Sequence, residues 1–337
     1  MTAESNSIRT SEKALVTGGG GFLGSAIIKQ LVKKYQGVRN FSRNYYPNLE
    51  EMGAEQILGD ISDYEAVKRA CRDVDIVFHV AAKPGVWGRY EEYYQTNTVG
   101  TENIIAACYH NNIHRMIYTS SPSVIFDGGQ DEGINESAPY ARRFKTHYAK
   151  TKALAEHKVI QATGDRLHTV ILRPHLIWGP GDNHLVPRII ARAKRLKKIG
   201  DGTNLVDTTY IDNAAEAHIL AAAKLRENKH LSGNIYFISQ GEPLPMWDMI
   251  NAILEAAGLE PVRGSIPKSI GWSIGAILEF IYKTFGISTE PPMTRFVAEE
   301  LSSAHWFDIT AAKRDLGYVP RVSIQEGLRR LEKWLHS

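Results

Sequence analysis

A glycine-rich segment near the N-terminus, Thr17–Gly24, constrains the fold more than any other feature of this sequence. It follows the short apolar run Ala14–Val16 and precedes a segment with helical periodicity. Gly18 allows a tight turn out of a strand, Gly21 lets the backbone approach a phosphate, and Gly24 lets the next helix pack closely on the sheet. The sequence therefore predicts a strand–turn–helix unit whose helix N-terminus faces the pyrophosphate of a dinucleotide.

The second predicted strand, Val38–Ser42, bears on the kind of dinucleotide. An acid near the end of this strand would accept from the ribose 2′-OH of NAD, but no Asp or Glu lies between Gly37 and Leu49. Ser42 and Arg43 stand there instead, and a guanidinium matches a 2′-phosphate. We therefore expect NADP(H) as the cofactor. The alternative is that Arg43 stacks on the adenine or faces solvent.

Strand-like and helix-like segments alternate along the chain, which predicts an α/β fold with a Rossmann-type, doubly wound parallel sheet and a smaller C-terminal substrate lobe. The predicted strands are Ala14–Thr17, Val38–Ser42, Asp75–Ala81, Met116–Ser120, Thr169–Arg173 and, late in the chain, Tyr236–Ile238. The predicted helices are 22–35, 63–72, 91–111 and 146–163. We expect a disordered tail over 1–12, an NADP-binding domain over 13–174 plus about 206–242, and a substrate-binding lobe over 175–205 plus 243–333.

A second motif supplies the chemistry. Tyr148 and Lys152 lie four residues apart, so on a helix both side chains point the same way. A cation one turn away favours the phenolate and moves the phenol toward acid–base work near neutral pH. Ser121, after a predicted strand, can hydrogen-bond the substrate oxygen beside the phenol. Together with the glycine loop, the motif indicates hydride transfer to or from a carbonyl carbon.

Composition excludes several other classes of protein. The 337 residues carry a formal net charge of +3, too small to indicate a nucleic-acid surface. Cys71 and Cys108 have no metal or redox spacing, which suits a reducing cytoplasm, and residues 1–12 lack the apolar core of a signal peptide. His110 and His114 have metal-ligand spacing without a third ligand nearby, so we expect no metal site.

These motifs resemble the extended short-chain dehydrogenase/reductase family, in the branch of 3β-hydroxysteroid and sterol 4-carboxylate dehydrogenases, over residues 13 to 333. The resemblance implies four catalytic residues, namely Ser121, Tyr148, Lys152 and Asn97. It implies cofactor contacts, with Asp60 on the adenine amino group, from Gly18, Gly21, Phe22, Leu23, Gly24, Ser42, Arg43, Asp60, Ile61, Ala81, Ala82, Lys83, Tyr148, Lys152 and Pro174.

Three further stretches, 81–88, 178–184 and 241–246, resemble the β-keto acid reductases of bacterial long-chain olefin biosynthesis. The resemblance implies a cytoplasmic homodimer that reduces a long-chain 2-alkyl-3-oxo acid to the 3-hydroxy acid with NADPH. It also implies contact with the β-lactone synthetase and decarboxylase that act later. Expected substrate contacts are Trp87, His175, Trp178 and Arg188, the last through a carboxylate.

Two other function classes remain open. A steroid or sterol dehydrogenase would oxidise an alcohol with the same residues, and a non-catalytic NADP-binding scaffold would keep the fold without turnover. The presence of Ser121, Tyr148 and Lys152 argues against the scaffold, and the missing acid after the second strand argues against an NAD-linked dehydrogenase.

An apolar segment over 266–287 allows three interpretations. A helical stripe runs through it, formed by Ile270, Ile274, Ile277, Ile281 and Phe285. The first interpretation is core packing of the small lobe, the second is a wall or lid over alkyl chains, and the third is contact with a membrane surface or a partner helix. Glu279 and Lys283 interrupt the stripe, so we expect no transmembrane helix. The basic run 188–198 is interpreted as the solvated face of an amphipathic helix.

Overall fold

The computed structural model describes residues 10–337. Its strands are β1 (Thr10–Thr17), β2 (Tyr35–Ser42), β3 (Glu55–Leu58), β4 (Ile76–His79), β5 (Arg115–Thr119), β6 (Asp131–Ile134), β7 (His168–Pro174), β8 (Ile177–Trp178), β9 (Lys198–Ile199), β10 (Leu205–Val206), β11 (Thr209–Tyr210), β12 (Ile235–Ile238), β13 (Leu244–Pro245), β14 (Ser265–Ile266) and β15 (His305–Phe307).

The α-helices are α1 (Phe22–Leu31), α2 (Pro47–Glu51), α3 (Tyr64–Ala70), α4 (Tyr90–Tyr93), α5 (Gly100–His110), α6 (His147–Ala162), α7 (Leu185–Arg192), α8 (Ile211–Glu227), α9 (Met246–Ala256), α10 (Lys268–Thr284), α11 (Arg295–Glu300) and α12 (Ile324–Leu335). Two π-helical segments cover Tyr94–Val99 and Ala312–Leu316. Short 3₁₀ turns cover Pro122–Val124, Ala193–Arg195 and Lys229–Leu231.

Seven parallel strands form the main sheet in the order β12–β7–β5–β4–β1–β2–β3. Helices α1 and α8 pack together, as do α3 and α5, and α5 with α6. Because helices cover the sheet, its central strands are apolar on both sides, and Ala14, Leu15 and Val16 of β1 are fully buried. The predicted doubly wound α/β fold is confirmed, and the carboxyl ends of its strands meet at one edge, where ligands bind in such folds.

Several boundaries differ from the sequence prediction. The tail predicted for 1–12 lies partly outside the described residues, but Thr10–Glu12 belong to β1, because Thr10 N donates to Lys34 O and Glu12 pairs with Arg115. Strand β3 was not predicted, since an edge strand with exposed Leu58 lacks the buried apolar run of its neighbours. The predicted helix over 91–111 consists in the structure of α4, a π-helical segment and α5, which follow one another without a break.

A smaller mixed sheet follows the order β13–β10–β15–β6. Its strand β6 comes from the segment assigned to the cofactor domain, yet it pairs with β15 near the end of the chain. A separate apolar cluster that includes Trp247 and Leu254 packs close to this sheet. The division into two domains stays a prediction, and β6 is one point where the first segment contributes to the second lobe.

Helix α10 has the opposite orientation to the one expected for a core helix. Its apolar side chains are exposed, with accessible fractions of 59% at Ile277, 71% at Phe280 and 76% for the adjacent Phe285. The buried face consists of Gly271, Gly275 and Glu279. Core packing of the apolar stripe, the first interpretation of this segment, is therefore wrong. Among the helices of residues 10–337, none is long and apolar enough to cross a bilayer.

The buried face of α10 fits α11 closely because it lacks side chains. A Cβ atom added at Gly275 would lie 2.6 Å from both Arg295 N and Thr294 C. Glu279, on the next turn, accepts from Arg295 through its backbone N at 2.7 Å and its Nε at 2.9 Å. Small residues and one ion pair therefore hold α10 in place, and the apolar stripe faces outward.

We predict that Gly275→Ala lowers the free energy of unfolding by about 1–3 kcal/mol, because the added methyl group meets backbone atoms that cannot move freely. The matched control, Phe280→Ser, should change it by less than about 0.5–1 kcal/mol, since this side chain is exposed. Urea unfolding of the three proteins measures both. A larger loss in Phe280→Ser than in Gly275→Ala would show that the apolar stripe is buried in solution.

Candidate active site

The glycine loop between β1 and α1 is built so that only glycine fits. Gly18 adopts a φ of +71°, and its N donates to Phe41 O at 2.9 Å. A Cβ atom added at Gly24 would lie 2.3 Å from Gly18 O. Gly19 N donates to Asn40 Oδ1 at 2.9 Å, which fixes the loop against β2. This cradle at the start of a ten-residue helix fits the pyrophosphate of a dinucleotide.

The end of β2 brings Arg43 and Asp60 to the same edge. Arg43 is exposed, and its charge helps to hold the pKa of Asp60 below its usual value, after the larger effect of hydrogen bonds from Ser62. The Ser42 hydroxyl donates to Asn44 O at 2.8 Å and accepts from Asn40 Nδ2 at 2.8 Å. Ser42 therefore shapes the turn locally, while the Arg43 guanidinium extends into solvent.

The remaining expected cofactor residues follow the same edge of the sheet. A Cβ atom at Gly18 would lie 2.9 Å from Ala81 Cα, so the first glycine touches the segment after β4. Ile61 is buried beneath Gly100, and Lys83 pairs with Glu92 at 3.0 Å. The other expected positions lie in the first turn of α1 (Phe22 and Leu23), after β4 (Ala82) and at the end of β7 (Pro174).

Tyr148 and Lys152 lie on one face of α6, whose start is capped by the Thr146 hydroxyl. Burial raises the pKa of Tyr148, and the neighbouring Ser121 hydroxyl acts in the opposite direction. This differs from the expectation that the lysine would lower it. The Lys152 ammonium donates to Thr119 O at 2.6 Å and lies 4.2 Å from the Tyr118 ring centroid.

Lys152 is itself almost fully buried. Burial lowers its pKa to about 7, while the nearby Glu156 carboxylate raises it. The lysine can therefore gain or lose a proton near neutral pH, which is the range in which a proton relay through Tyr148 would operate.

Ser121 lies just beyond β5 and begins the 3₁₀ turn that follows. Its Oγ accepts from Ser123 N at 3.2 Å and from Ser123 Oγ at 3.0 Å. With these two hydrogen bonds accepted, the Ser121 O–H can be donated into the cavity that Ser121 and Tyr148 both line.

Asn97 joins the π-helical segment to the start of α6. Its Oδ1 accepts from Lys83 N at 2.7 Å, and its Nδ2 donates to Lys83 O at 3.2 Å and to Thr151 Oγ1 at 3.0 Å. The side chain thus connects the segment after β4 with the helix that carries Tyr148 and Lys152.

Glu156, which no sequence motif indicated, organises the floor of the site. Its carboxylate accepts from Ser120, Tyr140 and Arg173, and the ion pair with Arg173 is completely buried. The available signal was its spacing, since Glu156 follows Lys152 by four residues on the same helix face. Asn40, which holds the glycine loop, was also missed, although a polar residue within a buried strand is unusual.

Ser121 and Tyr148 open into a cavity of about 200 Å³. Its remaining lining residues are Gly85, Val86, Pro122, Ser123, Phe126, Asp131, Thr146, Pro174, His175, Leu176, Arg188, Phe296, Glu300, His305 and Phe307. Two of the four expected substrate residues, His175 and Arg188, therefore lie at the site. The lining combines aromatic side chains with a polar wall, which suits a ligand that has both apolar and ionisable parts.

The other two expected substrate residues lie elsewhere. Trp178 is fully buried, donates from Nε1 to Thr208 Oγ1 at 2.9 Å, and packs edge-to-face on Tyr210. It is a core residue, because β8 turns its side chain toward α12 and not toward the cavity. Trp87 lies beside the cavity-lining Val86, but its Nε1 donates to Ile287 O at 3.2 Å after α10.

The family model described as the 3-beta hydroxysteroid dehydrogenase/isomerase family matches residues 15–267. The chain belongs to this family. The match confirms the resemblance seen in the motifs, and the family's NAD(P)-dependent chemistry makes the chain an oxidoreductase.

Several relatives are similar to this chain over most of their length. The 2-alkyl-3-oxoalkanoate reductase of Stenotrophomonas maltophilia is 50% identical, covering 95% of this chain and 98% of its own. The enzyme of the same name from Shewanella oneidensis is 48% identical, with 95% and 85% covered. The mouse decarboxylating sterol-4-alpha-carboxylate 3-dehydrogenase is 31% identical, with 98% and 93% covered.

Among solved structures, UDP-glucuronic acid 4-epimerase from Bacillus cereus in complex with NAD has a TM-score of 0.73. It is 24% identical, with 96% of this chain and 98% of the epimerase covered. At this identity the similarity concerns the fold alone, and it agrees with the seven-stranded parallel sheet.

We predict that Glu156→Gln moves the pH dependence of turnover to lower pH. Removing the carboxylate that raises the pKa of Lys152 lets this pKa fall below about 7, so the protonated lysine is lost earlier as pH rises. The variant should also lose about 3–5 kcal/mol of stability, since the Arg173 charge is left uncompensated.

The matched control is Glu102→Gln, which removes the exposed ion pair with Lys158 and should cost less than about 1 kcal/mol. Steady-state rates between about pH 5 and 9, together with urea unfolding, provide both measurements. An unchanged pH profile in a folded Glu156→Gln protein would contradict the assigned role.

Proposed function

We propose that this chain reduces a 2-alkyl-3-oxoalkanoic acid to the corresponding 2-alkyl-3-hydroxyalkanoic acid with NADPH. The observation that carries the proposal is a cavity in which Ser121 and Tyr148 face a wall of ionisable side chains. Two relatives about half identical over 95% of this chain are named for that reaction.

The names of the relatives share a chemical pattern. In a 2-alkyl-3-oxoalkanoate the carboxylate is attached to the carbon next to the carbonyl carbon. In a sterol-4-alpha-carboxylate oxidised at position 3, the carboxylate is again on the neighbouring carbon. A 3-oxo or 3-hydroxy acid is therefore the common unit, which supports an acid rather than a neutral ketone as the substrate of this chain.

The residues present can carry out the reduction. A bound NAD(P)H supplies the hydride that reduces the carbonyl carbon. Ser121 donates a hydrogen bond to the carbonyl oxygen, and Tyr148 donates the proton that completes the hydroxyl group. Burial keeps the Tyr148 phenol protonated, which is the form required for donation. Lys152 returns a proton to Tyr148, and Asn97 orients the helix that carries both residues.

We predict that Tyr148→Phe retains cofactor binding but loses about 10²–10⁴-fold in turnover, because only the oxygen that moves the proton is removed. Cofactor affinity by fluorescence titration and rates of NADPH oxidation measure the two effects. Turnover within about tenfold of the wild type would remove Tyr148 from the mechanism.

We predict that 2-alkyl-3-oxo acids with long chains are better substrates than short ones and better than 3-oxosteroids. Each buried methylene group contributes about 0.8 kcal/mol, so kcat/KM should rise with alkyl chain length until additional methylene groups are no longer buried. Assays with a panel of 2-alkyl-3-oxo acids and 3-oxosteroids test this. Equal rates across chain lengths, or a preference for the steroids, would contradict the assignment.

We predict a preference for NADPH over NADH that depends on Arg43. This exposed guanidinium beside Asp60 can form charge-assisted hydrogen bonds with a 2′-phosphate, worth about 1.5–3 kcal/mol or ten- to a hundredfold in affinity. Arg43→Ala should weaken the use of NADPH and leave that of NADH nearly unchanged. The comparison is kcat/KM for both cofactors in both proteins, and an unchanged ratio would show that Arg43 does not contact the 2′ position.

Dimerisation, and contact with the β-lactone synthetase and decarboxylase of olefin biosynthesis, remain predictions from the resemblance. The exposed apolar face of α10 is a surface that a partner could cover. No residue of α10 is among the described residues that line the active-site cavity, so this face does not form a wall of that cavity. A membrane surface is the alternative occupant of this face.

A further inference from the structure

Two histidines form part of the cavity wall that Ser121 and Tyr148 share. His175 follows β7 and His305 begins β15, and both are more than nine-tenths buried, with accessible fractions of 8% and 4%. Their rings meet edge-to-face, with centroids 4.9 Å apart. They bring the end of the main sheet into contact with the smaller sheet.

Each histidine is bound to a backbone carbonyl on its outer side. His175 Nδ1 lies 2.5 Å from Asp207 O, and His305 Nε2 lies 3.0 Å from Glu300 O. The two inner nitrogens, His175 Nε2 and His305 Nδ1, lie 3.1 Å apart. A carbonyl oxygen can only accept, so both outer nitrogens must carry hydrogen.

Two neutral rings do not carry enough hydrogens to form all three of these hydrogen bonds. A neutral imidazole has one N–H, so two neutral rings carry two hydrogens. Both hydrogens are used on the carbonyls, which leaves two lone pairs facing each other across 3.1 Å. A third hydrogen, shared between the inner nitrogens, would complete all three hydrogen bonds and give the pair one positive charge.

We propose that the carboxylate of the substrate draws one proton from solvent onto the His175–His305 pair, so that the pair becomes the cationic partner of the bound acid. The inference rests on the proposed function, because it requires a carboxylate in this cavity. The pair is a positioning element: its nitrogens are engaged with each other and with the backbone, and its charge acts on the acid across the cavity wall.

The direction of the pH effect follows from burial. Burial lowers the pKa of His305 to about 4 and that of His175 well below its usual value, so the pair is neutral near pH 7 when no anion faces it. A carboxylate raises the pKa of the pair. Above the unperturbed pKa and up to the raised one, binding takes up a proton, and affinity for the acid falls up to about tenfold for each unit of rising pH.

Other ionisable groups face the same space and could compete for the proton. Asp131 of β6 has a buried Oδ2 with no hydrogen-bond partner within residues 10–337, and burial raises the pKa of this carboxyl to about 6. Burial also raises the pKa of the Glu300 carboxyl on α11 to about 7, opposed by Arg188 of α7. Arg188 is itself paired with Glu290. On the far side of His175, the Asp207 carboxylate accepts from Ser239 Oγ and from Gly241 N.

Calorimetry of a complex that cannot turn over tests the proposal. 2-Butyl-3-hydroxyoctanoate is titrated into enzyme saturated with NADPH. Because cofactor and ligand are then both reduced, no hydride transfer can occur. The titration is carried out at about pH 6 in phosphate and in bis-Tris, two buffers whose protonation enthalpies differ. We expect more than about half a proton to be taken up per bound acid. Any binding of the uncharged methyl ester should proceed without proton uptake.

Variants identify the group that takes the proton. His305→Gln, and independently His175→Asn, should reduce uptake below about 0.2 proton and raise KM for the 3-oxo acid about tenfold, with kcat within about threefold of the wild type. The matched variants Asp131→Asn and Glu300→Gln should keep the uptake. Loss of uptake in these two variants, with uptake retained in the histidine variants, would assign the proton to a carboxyl group and overturn the proposal.

The outcomes separate this inference from the proposed function. If the acid binds the wild type without proton uptake, the histidine proposal fails and the reductase assignment stands. If the acid does not bind and is not reduced, the proposed function fails and the histidine proposal fails with it. The comparison of acid and ester needs only the wild-type protein, so it remains decisive if a histidine variant does not fold.

Discussion

The buried ion pair between Glu156 and Arg173 is the interaction on which the active site depends most. It joins α6, which carries Tyr148 and Lys152, to β7 of the main sheet, with both partners almost completely excluded from water. Two charges in such a place stabilise a protein only when their remaining hydrogen bonds are satisfied. Ser120 and Tyr140 donate these bonds to the Glu156 carboxylate, so the position of the catalytic helix and the charge beside Lys152 are determined together. Arg173 Nη1 is buried without a hydrogen-bond partner among residues 10–337, so the arginine side of the pair is less completely satisfied.

Local signals were sufficient for the parts of the protein that lie close together in sequence. The glycine loop and the Tyr148–Lys152 spacing each fall within a single strand–helix or helical unit, where the backbone geometry follows from neighbouring residues. The alternation of apolar strands and periodic helices likewise predicted the parallel sheet, because covering both faces requires apolar strands. The strand that escaped prediction, β3, is an edge strand with a weak apolar pattern.

Tertiary contacts determined what the sequence alone did not show. His305 reaches His175 across 130 positions, and β6 pairs with β15 across a still longer stretch of sequence, so no local pattern indicates either contact. Helix α10 shows how an apolar stripe misleads: burial depends on which face can approach its neighbour, and Gly275 allows the closer approach. Trp178, expected to contact substrate, is a related case, since an aromatic residue in a motif can serve packing as readily as binding.

Burial moves the ionisable groups around the cavity toward their neutral forms. It raises the pKa values of Tyr148, Asp131 and Glu300 and lowers those of Lys152 and the two histidines, while Arg188 is neutralised by Glu290. A carboxylate that enters such a cavity therefore brings a negative charge that the surrounding groups must compensate. Neutral groups with shifted pKa values can compensate this charge by taking up protons. The same desolvation that keeps Tyr148 ready to donate a proton therefore also makes the binding of an acid sensitive to pH.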